Sequence, residues 1–278
     1  AFTTAIFLAL VLFALPAGPP AAPKPAATAA AAQWTPIGPD GGRICGLVRC
    51  PAAPNVMYAA TQSSHGLVFR SGDSGATWTR KAAADDYIYD IAVHPTNPAV
   101  VYALGYEEFL KSADGGATFK AYPYPNGISG ATGALAAHPA NPDILYATGK
   151  AKLEPQGERL AVLRSANGGK SWTATKLDAA ADWVNFPGLA VCAASPETIY
   201  AVGYVHKDGD DYGRVYKSTN GGTTWTNVTS AQLEEEQYLR SVAVDPRDPK
   251  RAYVTNSDGV ARTTDGGARW ALQTAPDD

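Results

Sequence analysis

The sequence has few cysteines, few histidines and no concentration of positive charge. Its 278 residues include 3 Cys, 4 His, and 23 Lys plus Arg against 26 Asp plus Glu, which gives a formal net charge of −3. Nucleic-acid binding needs a basic patch, and no run of Lys and Arg could form one here. We therefore expect no nucleic-acid partner. Because 45% of the residues are hydrophobic, the chain can bury a large core and is not disordered.

The sequence also lacks the short motifs of common nucleotide-dependent and hydrolytic enzymes. It contains no P-loop, G-x-S-x-G, H-E-x-x-H or dinucleotide-binding fingerprint. We accordingly expect no cofactor, and no motif identifies a catalytic residue.

One apolar run, AIFLALVLFAL at residues 5–15, precedes an Ala/Pro-rich stretch that ends near residue 32. The run is shorter than the roughly 20 residues of a membrane span and is typical of a signal peptide. We interpret residues 1–32 as a signal peptide or an N-terminal anchor with a linker. Both interpretations place residues 33–278 in the periplasm or outside the cell, with membrane association only if residues 1–32 stay uncleaved.

One octapeptide occurs five times, as SGDSGATW (71–78), SADGGATF (112–119), SANGGKSW (165–172), STNGGTTW (218–225) and TTDGGARW (263–270). Its third position is an acid or its amide: Asp73, Asp114, Asn167, Asn220 and Asp265. Its last position is aromatic: Trp78, Phe119, Trp172, Trp225 and Trp270. Upstream of each copy, a Pro-containing turn and an apolar pair lead to a tyrosine: Tyr58, Tyr102, Tyr146, Tyr200 and Tyr253.

Short segments with the sequence pattern of β-strands lie between these repeated motifs. Each unit contains four such segments, and no part of the body shows helical apolar periodicity over a helix length. Four antiparallel strands repeated about every 40 to 50 residues are typical of a propeller blade. The sequence therefore predicts an all-β propeller with five detectable blades.

The repeated pattern S-x-[DN]-x-G-x-[TS]-W resembles the Asp box of the BNR-repeat β-propellers. Sialidases, xyloglucanases, the sortilin ectodomain and photosystem II assembly factors share this box. The resemblance covers residues 33–270 and implies the fold, but not one activity, because the box recurs in enzymes, receptors and assembly factors. Such propellers commonly have about six to eight blades, so a fragment of a larger propeller remains open.

The Asp box itself is interpreted as structural. We expect its acid or amide to accept backbone hydrogen bonds within the turn, its glycine pair to adopt positive φ, and its aromatic residue to pack between blades. Catalytic or calcium-binding roles are disfavoured because Asn replaces Asp in two copies.

Candidate binding residues lie in the loops after the second and fourth strands, which together form one end of a propeller. These loops are rich in aromatic residues, which stack on sugar rings or on a partner's side chains. The candidates are Tyr87, Tyr106, Tyr122, Tyr124, Trp183, Phe186, Tyr204, Tyr212, Tyr238 and Arg240. The alternative is that the same residues only pack between blades.

The leading functional hypothesis is a non-enzymatic propeller that binds a protein or a glycan, as a scaffold, assembly factor or subunit of a membrane-associated complex. The alternative is a glycoside hydrolase of the sialidase or xyloglucanase type, with paired carboxylates drawn from Asp85, Asp86, Glu107, Glu108 and residues 208–211. A purely structural module of a longer surface protein is a third possibility. The arginine set of sialidases is missing, since only Arg43 and Arg240 are placed at this end of the propeller.

Metal-competent residues recur eight positions before each repeated tyrosine, at Cys50, His94, His138, Cys192 and Asp245. We interpret this column as turn caps, because equivalent positions of different blades lie far apart, and we predict no metal site. Cys45 and Cys50 either pair or, as we favour, are small buried hydrophobic residues. His65 and His206 are expected to be solitary and solvated.

Overall fold

The computed structural model describes residues 38–39, 42–152, 158–177, 183–235, 238–256 and 259–274, without the side chains of residues 132, 158–160, 183–186 and 274. These residues form five four-stranded antiparallel sheets, each made of four strands that are consecutive in the sequence. The all-β propeller prediction is therefore confirmed.

The blades follow one another along the chain. The first contains β1 (Ile44–Cys50), β2 (Ala53–Thr61), β3 (Leu67–Ser71) and β4 (Thr79–Ala83). The second contains β5 (Ile88–Val93), β6 (Val101–Gly105), β7 (Glu108–Ser112) and β8 (Lys120–Pro123). The third contains β9 (Ile128–Ala137), β10 (Leu145–Lys152), β11 (Glu158–Ser165) and β12 (Thr173–Lys176).

The fourth blade contains β13 (Trp183–Val191), β14 (Ile199–Lys207), β15 (Asp210–Ser218) and β16 (Thr226–Asn227). The fifth contains β17 (Ser241–Val244), β18 (Ala252–Thr255), β19 (Gly259–Thr263) and β20 (Ala271–Thr274). One short helix that the sequence analysis did not predict, α1 (Ala231–Glu235), lies between the fourth and fifth blades. The five-residue α1 cannot span a membrane, and none of the described residues forms a longer apolar helix.

The first strand of each blade packs against the first strand of the next, in the order β1, β5, β9, β13 and β17. The second strand of a blade lies between its first and third strands, and every residue of the second strand β6 is buried. A strand that is buried on both faces has apolar residues at consecutive positions. This explains the apolar sequence of segments such as VYALG.

The Asp box forms the turn between the third and fourth strands of every blade. In the first blade, Asp73 Oδ1 accepts hydrogen bonds from the Thr77 amide at 2.9 Å and from the Ser71 hydroxyl at 2.7 Å. The Ser71 hydroxyl oxygen in turn accepts the Gly75 amide at 2.9 Å. Bonds between an Asx side chain and its own turn satisfy backbone groups that no strand partner reaches.

The interchange of Asp and Asn follows from the hydroxyl at the seventh box position. Thr118 donates its hydroxyl hydrogen to Asp114, whereas Asn167 donates its amide hydrogen to the Ser171 hydroxyl at 2.8 Å. The same turn therefore closes with either residue. In the acidic boxes, hydrogen bonds from the Thr at the seventh position lower the pKa of Asp73 and Asp114 to about 2.

In the second to fifth boxes, the glycine pair packs against the preceding blade. Gly169 has a φ of +88°, and a Cβ there would overlap the ring of Phe109 in the second blade. The box aromatic fills the space beside it: the Trp172 ring meets Phe109 edge-on at 5.1 Å. Small residues and a large ring thus alternate at this contact between blades.

The repeated tyrosine of the second strand also joins neighbouring blades. Tyr58, Tyr102, Tyr146 and Tyr200 are at most 1% exposed. Their phenols donate to carbonyl oxygens of the next blade: Tyr58 to Pro98 at 2.6 Å, Tyr102 to Pro142 at 3.1 Å, Tyr146 to Gly221 at 3.3 Å and Tyr200 to Pro249 at 2.8 Å.

A lysine or arginine directly precedes each box, and we call this cation and the tyrosine of the same blade together the blade lock. Arg164 Nε donates to the carbonyl of Gly221 at 3.0 Å, and Lys217 Nζ donates to that of Gly266 at 3.1 Å. Lys217 Nζ also lies 5.3 Å from the centre of the Tyr200 ring. The cation thus bridges the tyrosine of its own blade and the glycine of the next box.

Candidate functional site

The loops after the second and fourth strands lie at the end of the propeller opposite the Asp boxes, and we call this end the upper face. In the fourth blade, β14 and β15 extend beyond the other strands and pair as far as Lys207 and Asp210. Asp208 and Gly209 join them with φ values of +54° and +92°, as in the two-residue turns preferred by hairpins.

This hairpin changes the expected surroundings of Tyr204 and Tyr212. Both were predicted to lie in a loop, whereas they lie in β14 and β15, and Tyr204 pairs with Gly213. The Asp-Gly pair between β-favouring residues is the signal that predicts a hairpin here. Strands hold the two rings more firmly than a loop would.

Four side chains meet at the upper part of this hairpin. Asp211 Oδ1 lies 2.9 Å from His206 Nδ1, and Asp211 Oδ2 accepts the phenolic hydrogen of Tyr238 at 2.7 Å. The rings of Tyr204 and Tyr238 meet edge-to-face with centroids 4.8 Å apart. We call these four residues the upper tyrosine cluster. His206, expected to be solitary and solvated, is instead paired with Asp211.

The hydrogen bonds shift the acidities of this cluster in opposite directions. The bonds from Tyr238 and His206 lower the pKa of Asp211 below its ordinary value. The same bond to Asp211 raises the pKa of Tyr238. Both shifts favour a charged carboxylate that holds a neutral phenol in place.

Tyr238 is held with an unusual backbone. Its φ is +65° and its side chain is 40% exposed. A non-glycine residue in this region is strained, and such strain clusters at binding and catalytic sites. Leu239 beside it is 1% exposed and anchors the segment in the core.

The helix before Tyr238 is attached to the hairpin by charge and by packing. Arg214 Nη1 lies 2.8 Å from Glu234 Oε1, and the Arg214 guanidinium lies 5.4 Å from the Tyr212 ring centre. Leu233 is 1% exposed and packs in the same core as Leu239. The support of Tyr238 is therefore well packed, although its ring faces solvent.

A second group of aromatic residues lies on the upper face of the second blade. Tyr87 is 47% exposed, and the rings of Tyr89 and Tyr106 lie 6.2 Å apart. Asp86 organises this region, because its oxygens accept the amides of Tyr87 at 2.7 Å and Glu107 at 2.8 Å.

Tyr122 and Tyr124 are less available than the sequence suggested. Tyr124 donates to the carbonyl of Gly105 at 3.0 Å and meets the Trp172 ring edge-on at 6.5 Å. Burial raises its pKa. Tyr122 is half-buried in β8, with Lys120 Nζ 5.2 Å from its ring centre. Tyr124 in particular packs between the second and third blades.

The remaining candidates are spread around the upper face. Trp183 and Phe186 belong to β13, not to a loop, and their side chains lie outside the described residues. Arg240 is exposed at the start of β17, where its amide donates to the carbonyl of Thr255 at 2.8 Å. Among the candidate side chains that the structure describes, Tyr204 and Tyr238 come together, whereas Tyr87 and Tyr124 lie at the second blade.

Two of the carboxylates considered for hydrolysis already have partners. Both oxygens of Asp86 accept backbone amides, and both oxygens of Asp211 contact side chains. Asp90, on the inner strand β5, accepts the amides of Ile91 and Leu135, each at 2.8 Å, and burial raises its pKa to about 7. Asp90 therefore links two blades.

In the column of metal-competent residues, the histidines cap turns as predicted, whereas the thiols of Cys50 and Cys192 contact carbonyl oxygens of the next blade. His94 Nδ1 accepts the amides of Thr96 and Asn97 at 3.1 and 3.0 Å, and His138 Nδ1 does the same in the third blade. The Cys192 thiol donates to the carbonyl of Asp245 at 3.3 Å. Within the ranges that the structure describes, no three potential ligands cluster as a metal site would require.

All three cysteines are free thiols, so the pairing of Cys45 with Cys50 does not occur. The Cys45 thiol donates to the carbonyl of Ala60 at 3.3 Å, and burial raises its pKa to about 12. A thiol with such a pKa is a poor nucleophile at neutral pH.

The cation of the blade lock was not predicted from the sequence. Its signal is simple: Arg70, Lys111, Arg164, Lys217 and Arg262 each directly precede the first residue of a box. The pairing of His206 with Asp211 was also not predicted, although the hairpin turn between them would have indicated it. The bond from Tyr238 to Asp211 had no local signal, because these two residues lie 27 residues apart in the sequence.

Comparisons with known proteins agree with this architecture. The xyloglucanase Xgh74A of Acetivibrio thermocellus is 26% identical over 230 residues, which cover 68% of this chain and 25% of that protein. The chain thus spans about a quarter of the length of this curated relative.

Solved structures support the fold alone. The GH74 xyloglucanase of Xanthomonas campestris aligns with a TM-score of 0.60 at 18% identity, over 84% of this chain and 38% of that chain. The GH74 enzyme of Niastella koreensis aligns with a TM-score of 0.58 at 19% identity, over the same shares.

A family profile described as "Sortilin, neurotensin receptor 3" matches residues 66–212, more than half of the chain. The match runs from the third strand of the first blade into the fourth blade and includes three of the five Asp boxes. The chain therefore belongs to the Sortilin-Vps10 family of β-propellers.

Proposed function

We propose that this propeller binds a glycan at the upper tyrosine cluster, outside the cytoplasm, without cleaving it. The observation that supports the proposal is Tyr238, an exposed ring whose position is set by Tyr204, by Asp211 and by a strained backbone. A ring fixed before binding loses little conformational entropy when a ligand stacks on it.

The composition of the cluster favours a neutral sugar over an anionic one. Asp208 and Asp210 are exposed at the tip of the same hairpin, and Asp211 is held as a carboxylate. These charges would repel a sialic or uronic acid. Xyloglucan, the neutral polysaccharide after which the curated relative is named, is the first ligand to test.

The proposal is tested by titrating soluble xyloglucan into the protein in a calorimeter. We expect Tyr238→Ala to weaken binding at least about 10-fold, which corresponds to a loss of about 1.4 kcal/mol. Tyr87→Ala is the matched control, since Tyr87 is at least as exposed as Tyr238 but belongs to the second blade. Equal binding by wild type and Tyr238→Ala, or no binding of any neutral glycan, would contradict the proposal.

Binding of a protein partner, as in a scaffold or assembly factor, is the other form of this proposal. It predicts that no glycan binds and that Tyr238→Ala instead releases a protein that co-purifies stoichiometrically with the wild type.

Both forms of the proposal require export of the protein from the cytoplasm, which we infer from the apolar run at residues 5–15. The intact mass of the native protein tests whether residues 1–32 are removed.

A glycoside hydrolase is the second candidate, and the similarity to a xyloglucanase supports it. Hydrolysis requires a proton donor with a raised pKa facing a second carboxylate. Asp211 has a lowered pKa, and Asp86 is occupied by two amides. We therefore expect no release of reducing ends from xyloglucan. Release that disappears in Asp85→Asn or Glu108→Gln would establish the hydrolase instead.

A further inference from the structure

A cavity of about 500 Å³ opens between the fourth and fifth blades, at the end of the propeller that carries the Asp boxes. One wall consists of the fourth Asp box and the outer strand β16, and the other wall is the fifth Asp box. The volume lies within the range of small-molecule sites, which is about 300 to 1,000 Å³. The polar side chains that line the cavity include Lys217, Thr224, Thr226, Asn227, Thr229 and Asp265.

The short outer strand of the fourth blade makes room for this cavity. β16 has two residues, whereas β4, β8 and β12 have four or five. After β16, the Thr229 hydroxyl oxygen takes the place of a backbone partner by accepting the Val215 amide at 2.8 Å. Asn227 Oδ1 accepts the amide of Thr229 at 2.9 Å and its hydroxyl at 2.6 Å. The regular ladder therefore ends at Asn227, whose exposed amide nitrogen has no partner among the described residues.

Asp265 differs from the other acids of the Asp boxes. In the first two boxes, the second carboxylate oxygen accepts the hydroxyl of the residue at the seventh position, Thr77 or Thr118, at 2.6 Å. The fifth box has Arg269 at this position. Asp265 Oδ1 accepts the Arg269 amide and the Thr263 hydroxyl, each at 2.9 Å, whereas Oδ2 accepts no hydrogen bond from the part of the chain that the structure describes. A carboxylate that lines the cavity thus keeps one acceptor oxygen.

A cation lines the same cavity. The Lys217 ammonium donates one hydrogen to the carbonyl of Gly266 at 3.1 Å and keeps two others for a ligand. Burial and the ammonium of Lys250 lower the pKa of Lys217, whereas the charge of Asp265 raises it. Arg269 adds a further positive charge beside Asp265. Positive charge therefore exceeds negative charge around the cavity, which favours an anionic ligand.

The equivalent contact between the first and second blades has a smaller cavity without these features. Its volume is about 250 Å³, and the residues that line it include Tyr58, Arg70, Lys81 and Asp114. Both oxygens of Asp114 are bonded within its own box. The difference between the two cavities follows from the length of the outer strand and from the residue at the seventh position of the box.

We infer that the cavity between the fourth and fifth blades binds an acidic sugar, in which a hexuronate carboxylate accepts hydrogen bonds from Lys217 and a neighbouring hydroxyl donates to Asp265 Oδ2. The side chains of β16 contact the remaining hydroxyls. A sulfate ion has no hydrogen to donate to Asp265, and a simple amine has no acceptor for Lys217, whereas a uronic acid has both groups on one ring. This site lies at the opposite end of the blades from the upper tyrosine cluster and does not depend on the neutral glycan proposed there.

The experiment titrates digalacturonate into the full chain in a calorimeter and compares two substitutions of Arg269, which is not one of the lining residues. Arg269→Thr introduces the hydroxyl that occupies the second carboxylate oxygen in the first two boxes. Arg269→Ala removes the same positive charge but leaves Asp265 Oδ2 open. We expect Arg269→Thr to bind digalacturonate at least about 10-fold more weakly than Arg269→Ala, the usual loss for one hydrogen bond to a charged group.

The matched ligand is α-1,4-galactobiose, in which hydroxymethyl groups replace both carboxylates. The wild type should bind it at least about 10-fold more weakly than digalacturonate, because its contact with Lys217 lacks the negative charge. Thermal unfolding shows that both Arg269 variants are folded.

Four results would overturn the inference. They are no binding of digalacturonate, equal binding of the two disaccharides, equal binding of digalacturonate by the two Arg269 variants, and tighter binding of a free amino acid such as alanine. A wild type that binds digalacturonate but not xyloglucan would contradict only the glycan site of the upper face.

Discussion

The phenol of Tyr200 donates a hydrogen bond of 2.8 Å to the carbonyl oxygen of Pro249, and so connects the fourth blade to the fifth. The ring is fully buried, whereas the equivalent ring of Tyr253 in the fifth blade is half-exposed. The same residue at the same position of the repeat is thus a contact between blades in one case and an open surface in the other.

Tyr200→Phe should destabilise the chain by about 1 kcal/mol, the usual net contribution of one hydrogen bond, because the Pro249 carbonyl loses its donor while the ring stays buried. Tyr253→Phe is the matched control and should leave the free energy of unfolding unchanged. Both values come from denaturant unfolding of the purified chain. Equal effects of the two substitutions would show that the hydrogen bond between blades contributes nothing.

Stability in acid should depend on the Asp boxes. The folded pKa of Asp73 and Asp114 is about 2, below the ordinary 3.8, so their contribution is complete above about pH 4 and is lost as the pH falls towards 2. Asn closes the same turn in two other boxes. The double variant Asp73→Asn/Asp114→Asn should therefore keep its neutral-pH melting temperature and lose less stability between pH 4 and 2. An unchanged acid profile would contradict this account.

The repeat explains why so much of the fold can be predicted from the sequence. Each Asp box places a turn between two strands, and each repeated tyrosine marks a strand buried on both faces. Together they determine four strands in every unit. The helix α1 was not predicted, because five residues with Leu233 as their one buried side chain carry no periodic signal.

The candidate site could be predicted only in part. Aromatic composition identified Tyr204 and Tyr238, which do meet at 4.8 Å. The same criterion also selected Tyr124, which packs against Trp172. The sequence does not distinguish an aromatic residue that faces solvent near a strand end from one that faces the next blade. The bond between Asp211 and Tyr238 depends on the path of the chain between β16 and β17, which no local pattern specifies.

Tyr124→Ala should destabilise the chain, contrary to the expectation for a solvent-facing loop residue. The substitution removes a ring packed on Trp172 and a hydrogen bond to the carbonyl of Gly105. We expect a loss of about 3 kcal/mol or more, as for other buried aromatic residues. Tyr87→Ala, at an exposed position, should stay within about 0.5 kcal/mol of wild type. Thermal and denaturant unfolding measure the stability of both variants. If Tyr124→Ala leaves the stability unchanged, Tyr124 belongs to the binding surface and not to the contact between blades.

Asp90 should make the propeller less stable as the pH rises from about 4 to 7. Burial raises its folded pKa to about 7, above the ordinary 3.8, so in this range the folded chain binds a proton that the unfolded chain has released. Stability therefore falls with rising pH until the folded carboxyl also ionises. Asp90→Asn, which cannot titrate, should lack this decline, although its amide has one acceptor oxygen and cannot accept both the Ile91 and the Leu135 amides, as the carboxylate does through Oδ1 and Oδ2. The test is the difference between the unfolding free energies of wild type and variant at pH 4.5, 6 and 8. A difference that is constant across these pH values would show that Asp90 titrates at the same pH in the folded and unfolded chains.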